Sequence, residues 1–474
     1  MKRRSKTLAL LASAAMLGGC ASFSPDGGFA TVEKTAQDRL GKSAQWARSD
    51  ADQSSMAKRV TELLAEPLTV DSAVQVALFN NRGLQASFAE LGITEAEVVQ
   101  AGRLPNPGFS FGRSSGGDER EIERGIHINL ARLIAMPLVG RMEARRFEQT
   151  QGMVTMNMLT LAADARKAFF DAVAAEESVR YMQQVKQAAD ASAELARRMQ
   201  QVGNFNKLQR AREQMFYAEA MLSLARAQQT QRATRERLTR LLGAWGAQTT
   251  FTLPPRLPDL PKEVLDLPDI ERVALNQRLD VQGAKLLAQR TASDLGLTRT
   301  TRFINVLELG AMRNSSNEEP TQTGWEVGFE LPLFDWGGAR VARAEAVYMQ
   351  ALHRAAETAV NARSEVREAY AGYRATYDIA RFHRDEIVPL NQRISEENLL
   401  RYNGMFIGVF DLLADARSQI ASVNGAIQAL RDFWVAQADL DMALIGKPSL
   451  GAAVGVGAAA GAAAGPKAAA DPGH

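Results

Sequence analysis

The sequence predicts a mainly α protein with a small membrane β part, built from a helix–strand–strand–long helix unit that occurs twice. Three observations predict it. Short segments alternate apolar and polar residues with the period of a strand, two long segments carry apolar residues at a seven-residue period, and the order of these segments repeats. The clearest strand is Trp325-Glu-Val-Gly-Phe-Glu-Leu-Pro332. Trp325, Val327, Phe329 and Leu331 point one way, and Glu326, Gly328 and Glu330 the other. Pro332 ends the pairing, and Gly337 and Gly338 allow a sharp turn into a helix.

The N-terminus is an export signal. Lys2, Arg3, Arg4 and Lys6 precede a short apolar run, which closes on Leu17-Gly-Gly-Cys20. The run is too short to span a bilayer. Its ending resembles the bacterial lipoprotein box, so residues 1–19 are read as a lipoprotein signal peptide and Cys20 as the lipidated first residue of the mature chain. Ala21 after the Cys suggests sorting to the outer membrane by the same resemblance. Cys20 is the only Cys, which excludes an internal disulfide and a Cys-based metal cluster. The chain holds 56 basic and 54 acidic residues. Four of the basic ones leave with the signal, so the mature chain is slightly acidic and lacks the basic field that nucleic-acid binding requires. After the signal, no apolar run reaches transmembrane-helix length, so any membrane span must consist of strands.

Residues 20–67 are polar and read as a lipidated linker packed on the outside of the body. Residues 68–100 are mostly helical, with Val70, Val74, Ala77 and Leu78 on one face, until Pro105 and Pro107 stop the helix. A short strand over 108–113 sets Phe109 and Phe111 on one side. Residues 114–124 read as loop, and a second strand alternates Ile126, Ile128 and Leu130 with His127, Asn129 and Ala131 until Pro137 closes it. The first long helix is then expected over about 139–201, about 90 Å at 1.5 Å per residue. Its seam runs through Val154, Met158, Leu161, Ala165, Ala168, Ala172, Ala175, Val179 and Met182 in alternating steps of four and three. Gly203-Asn204 breaks the column, a helix over 207–242 returns, and a proline-punctuated connector covers 243–268.

The same order then restarts. Val273-Ala-Leu275 echoes Val76-Ala-Leu78 at the head of a helix over 270–297. A strand over 303–312 opposes Leu307, Leu309 and Ala311 to Glu308 and Gly310, residues 313–323 are a polar loop, and the Trp325 strand follows. The second long helix has its seam at Val341, Ala344, Tyr348, Ala351, Ala355, Ala359, Ala362, Val366, Ala369 and Tyr373. Pro389 should kink or end it, residues 401–408 interrupt it, and a helix over 409–445 returns. The body is therefore residues 68–446, with repeats of about 68–242 and 270–446. The Ala/Gly-rich residues 447–474 read as a disordered tail.

Leu331-Pro-Leu-Phe-Asp335, Gly337-Gly338 and Arg340, a weaker copy at Met136-Pro-Leu138, and Arg401-Tyr402 followed by Leu412-Leu413 and Ala416-Arg417 carry a resemblance. Over 68–446 the chain resembles the TolC family of outer-membrane efflux factors, of the lipoprotein kind. The resemblance implies a homotrimer whose protomers give four strands each to one 12-stranded β-barrel, continued by an α-helical periplasmic barrel. It implies a tripartite efflux system, with a periplasmic adaptor protein and an inner-membrane pump of RND or ABC type as partners, besides outer-membrane lipid. In that family two Asp three residues apart narrow the periplasmic mouth. Here Asp411 falls at the first place, Ala414 at the second and Asp415 one residue later, so Asp411 and Asp415 are the candidate gate. A solvated helix face is the alternative.

Glu308, Glu326 and Glu330 alternate with lipid-type residues and are placed in the barrel lumen, because charges facing lipid are costly. No enzyme is read here. His127, His353, His383 and His474 have no metal-ligand spacing, there is no nucleophile motif or phosphate loop, and no cofactor is called for. Met153, Met156 and Met158 invite a soft-metal reading, but Met158 lies on the helix seam and belongs to core packing. Two other functions share these features: an outer-membrane channel for type I protein secretion, and a lipid-anchored coiled-coil scaffold. Four amphipathic strands count against the scaffold.

Overall fold

A computed structural model describes residues 22–301, 307–329 and 334–448. The signal, Cys20, Glu330, residues 331–333 and the tail beyond 448 lie outside the described residues. In chain order the elements are α1 (Ala30–Leu40), α2 (Asp50–Ala65), α3 (Val70–Asn80), α4 (Arg82–Ala101), β1 (Gly108–Gly116), β2 (Glu119–Asn129), α5 (Leu130–Gln201) and α6 (Lys207–Leu242). After a 3₁₀ turn at Gly246–Thr250 come α7 (Ile270–Gln277), α8 (Leu279–Thr301), β3 (Leu307–Ser316), β4 (Gln322–Phe329) and α9 (Gly338–Phe382). A π turn at His383–Ile387, α10 (Val388–Asn403) and α11 (Val409–Ile445) complete the chain.

Helix α5 has 72 residues, about 108 Å at the usual rise. It starts nine residues before the position expected from the sequence, and Pro137 lies inside it rather than closing the strand. Leu130-Ala-Arg-Leu-Ile-Ala-Met136 are good helix formers, and the Asn129 carboxamide caps them by accepting the Arg132 N–H at 2.8 Å. A proline this near the start costs one backbone bond, which the long packed helix tolerates. The expected seam is buried throughout except Leu161, which is half-buried. On α9 the seam is buried at Ala351 and from Ala362 to Tyr373, and half-buried nearer the strands.

Both repeats break their first helix at the same place. At the offset that superposes Val76-Ala-Leu78 on Val273-Ala-Leu275, Asn81 matches Arg278. Asn81 accepts the Leu84 N–H at 3.0 Å and donates to the Leu241 carbonyl at 3.0 Å. Arg278 is 1% exposed. It holds Asp280 through two bonds of 3.0 and 2.7 Å, reaches Glu365 of α9 at 2.6 Å, and lies 3.4 Å from the Ala443 carbonyl of α11. Burial works against its charge, yet the bonds to Asp280 and Glu365 outweigh it and raise the guanidinium pKa.

The segment read as a linker is more ordered than the sequence suggested, because α1 and α2 form within it. Their polar faces hid the few residues that pack. Val32 and Ala36 are fully buried in a core shared with Val74, Leu78, Phe88 and Met158, so Met158 packs as expected. The two repeats are joined by Lys167 of α5, which is buried and reaches Asp439 of α11 at 3.0 Å and Asp164 at 3.3 Å. Burial pushes the Asp439 carboxyl up, and the hydrogen bond from Lys167 opposes the shift. No described helix is long and apolar enough to cross a membrane.

Candidate functional site

The four strands form one antiparallel sheet in the order β1-β2-β3-β4. β1 and β4 are its edges, and among the described residues no strand pairs with their outer sides. The tight turn at 117–118, where Gly117 has φ +65°, lets β1 and β2 pair through residues read from sequence as loop. Strand pairing is made by backbone groups and does not need apolar side chains, which is why SSGGDEREIER hid a hairpin. A second tie joins the hairpin ends: Asn317 donates to the Asp118 carbonyl at 2.8 Å, and its own carbonyl oxygen accepts the Arg120 N–H at 2.6 Å.

The register sorts the side chains cleanly, since residues directly opposite share a face. One face carries Phe109, Phe111, Ile126, Ile128, Leu309, Trp325, Val327 and Phe329. Trp325 is 76% exposed and Phe109 67%, so a broad apolar surface lies uncovered on the protomer. The other face holds the carboxylates Glu121, Glu123, Glu308 and Glu326. All the arginines, Arg113, Arg120, Arg124 and Arg313, fall on the apolar face. Every glycine of the strands (108, 112, 116, 125, 310, 324 and 328) lies on the acidic face. The His127 imidazole occupies the space that a Cβ at Gly108 would need. Small residues on one side of a sheet suit the inside of a narrow barrel.

Glu308 and Glu326 thus share one face, Glu326 in the row of His127 and two rows from Glu123, Glu308 three rows from Glu123, while Glu330 lies outside the described residues. Sequence reading missed Glu121 and Glu123 because their segment was taken for loop. Extending the parity of Ile126 and Ile128 back through Ile122 would have found both.

At the far end of the helices, α5 turns into α6 and α10 into α11. Both turns present apolar tips: Val202 is 71% exposed, Met405 92% and Phe406 84%. Asp411 stands in the first turn of α11, exposed, where its carboxylate accepts the Gly408 N–H at 3.2 Å. Asp415, one helical turn on, is 8% exposed, and its Oδ2 is shielded without a hydrogen-bond partner among the described residues. The two carboxylates therefore stand in different surroundings on the protomer. Among the described residues, no group of three or more His, Cys, Asp or Glu side chains could hold a metal ion.

No family model matches the chain. The cobalt-zinc-cadmium resistance protein CzcC of Cupriavidus metallidurans is 26% identical over 285 residues, which cover 57% of this chain and 64% of that protein. The match thus spans less than two thirds of that relative. Among solved structures, CusC, whose structures concern folding and transmembrane channel formation, superposes with a TM-score of 0.66 at 17% identity, covering 80% of this chain and 92% of that one. The Campylobacter jejuni CmeC outer membrane channel gives 0.69 at 16% identity, covering 79% and 85%. The Neisseria gonorrhoeae MtrE outer membrane channel, in its open state, gives 0.66 at 18%, covering 80% and 89%. The duplicated unit, the four-stranded sheet and the long helical columns are the fold of the TolC-family outer-membrane channels.

Proposed function

We propose that the chain forms the outer-membrane channel of a tripartite efflux system, conducting its cargo passively from periplasm to exterior. The partition of the sheet carries this reading. A sheet that is apolar on one face, acidic and glycine-lined on the other, and open at both edges fits the wall of a water-filled membrane pore. Its open edges call for further copies, since unpaired backbone groups in hydrocarbon each cost several kcal/mol. Three copies, giving twelve strands, is the number implied by the fold it shares. Cys20 supplies a separate lipid anchor, and the helices extend into the periplasm. The exposed tips at Val202, Met405 and Phe406 fit contact with a periplasmic adaptor that links the channel to an inner-membrane pump. Asp411 at the mouth, with Asp415 one turn deeper, is the proposed acidic gate.

The cargo class best supported is divalent metal cations. CzcC is named for resistance to cobalt, zinc and cadmium, and Glu121, Glu123, Glu308 and Glu326 give this lumen negative charge with no arginine among the described strand residues facing it. The test is the reversal potential of the purified protein in a planar bilayer under a salt gradient. The reading expects cation selectivity and passage of zinc. Anion selectivity would overturn the acidic lumen, and absence of conductance would favour a scaffold.

A further inference from the structure

The apolar face of the sheet ends in a cluster of positive charge. Register sets Arg124 directly opposite Arg313, and Arg113 lies diagonally across from Arg124 on β1. All three are exposed. Like charges facing each other across strands repel, and among the described strand residues this face holds no carboxylate to offset them. Glu121, Glu123, Glu308 and Glu326 lie on the other face, and none of the three arginines makes an ion pair among the described residues. Their level matters as much as their charge. The row of Arg124 and Arg313 also holds Phe111, and the next row toward the helices is Phe109, Ile126, Ala311 and Trp325, so the arginines stand in the last rows of the apolar band, on the side of the hairpin turns.

In a barrel whose helices lie in the periplasm, that level is the headgroup region of the outer leaflet. There arginine stems lie along apolar surface while the guanidinium groups reach phosphates. Arg124 and Arg313 stand about 5 Å apart at Cβ, close enough for one phosphate to bridge them, and Arg113 at about 7–8 Å can take a second.

We propose that Arg113, Arg124 and Arg313 form a docking surface for the phosphates of a phosphorylated glycolipid of the outer leaflet, one on each protomer. The arginines then stand opposite one another because an anion sits between them. The proposal rests on the outer-membrane reading above, and the test separates the two.

The test measures retention of bis-phosphorylated lipid A on the detergent-purified protein by native mass spectrometry, beside the dephosphorylated lipid and with inorganic phosphate as competitor. The phosphorylated lipid should be retained about tenfold to thirtyfold better than the dephosphorylated one, in line with two surface arginines, and inorganic phosphate should not displace it. The double variant Arg124→Gln, Arg313→Gln should lose that preference, whereas Glu326→Gln should keep it. Equal retention of the two lipids by the wild-type protein would overturn the proposal, and this comparison needs no variant to fold. Displacement by inorganic phosphate would overturn it in favour of a free-anion site, and an unchanged preference in the double variant would also overturn it. Conductance of the same wild-type sample reports on the channel reading alone.

Discussion

Arg278 is the buried charge on which the second repeat depends, and its removal gives the sharpest stability prediction. At 1% exposure it neutralises Asp280 and Glu365 and joins the α7–α8 break to α9. In Arg278→Met the side-chain volume is largely kept, but two carboxylates remain without their cation, at 22% and 15% side-chain exposure. Breaking a buried ion pair from one side costs about 3–5 kcal/mol. A chain of this length has an unfolding entropy of about 0.9 kcal/mol per kelvin, so the loss corresponds to a fall in Tm of roughly 3–6 °C per folded protomer. Thermal unfolding followed by far-ultraviolet circular dichroism reads this directly. Arg278→Lys should fall in between, because an ammonium keeps the charge but not the paired bonds to Asp280. Adding Asp280→Asn and Glu365→Gln to Arg278→Met should recover at least half of the loss, since the stranded charges are gone. A fall below about 1 °C for Arg278→Met, or no recovery in the triple variant, would refute the reasoning.

Three further predictions concern the anchor, the mouth and pH. Cys20→Ala should abolish incorporation of acyl label while leaving membrane association through the strands; label on the variant would end the lipoprotein reading. Asp411→Asn should reduce cation selectivity in single-channel recordings more than Asp415→Asn, whose carboxylate is buried on the protomer. The reverse order would place the gate at Asp415. Burial lowers the pKa of His383 below its ordinary 6.5, and its Nδ1 is shielded without a hydrogen-bond partner among the described residues. The unfolded chain therefore takes up this proton first, so the stability linked to His383 is fully present above pH 6.5 and lost as pH falls through the folded pKa. His383→Gln should thus lose less Tm than the wild type between about pH 7.5 and 5.5, and an equal loss would count against it.

Much of this was legible in the sequence where a single periodicity ruled. The α5 seam from Val154 to Met182 needed only a seven-residue count, and Val76-Ala-Leu78 against Val273-Ala-Leu275 located the repeat. What escaped lay where two signals competed. Pro137 looked like a strand terminator, yet the helix capped by Asn129 runs through it. Residues 114–124 looked like loop because a strand that runs out of the apolar band carries polar residues on both faces. That misreading hid Glu121 and Glu123, and with them the separation of carboxylates from arginines. The breaks at Asn81 and Arg278 were invisible for another reason. Each is set by bonds to residues distant in sequence, Leu241 in one repeat and Glu365 in the other.

In the proposed channel the open edges of β1 and β4 are closed by further copies into one membrane-spanning barrel. Native mass spectrometry of the detergent-purified protein tests it most directly. A single species of threefold mass that resists dilution is expected, because dissociation would expose two strand edges per protomer to an apolar solvent. A stable, folded monomer in detergent would contradict it.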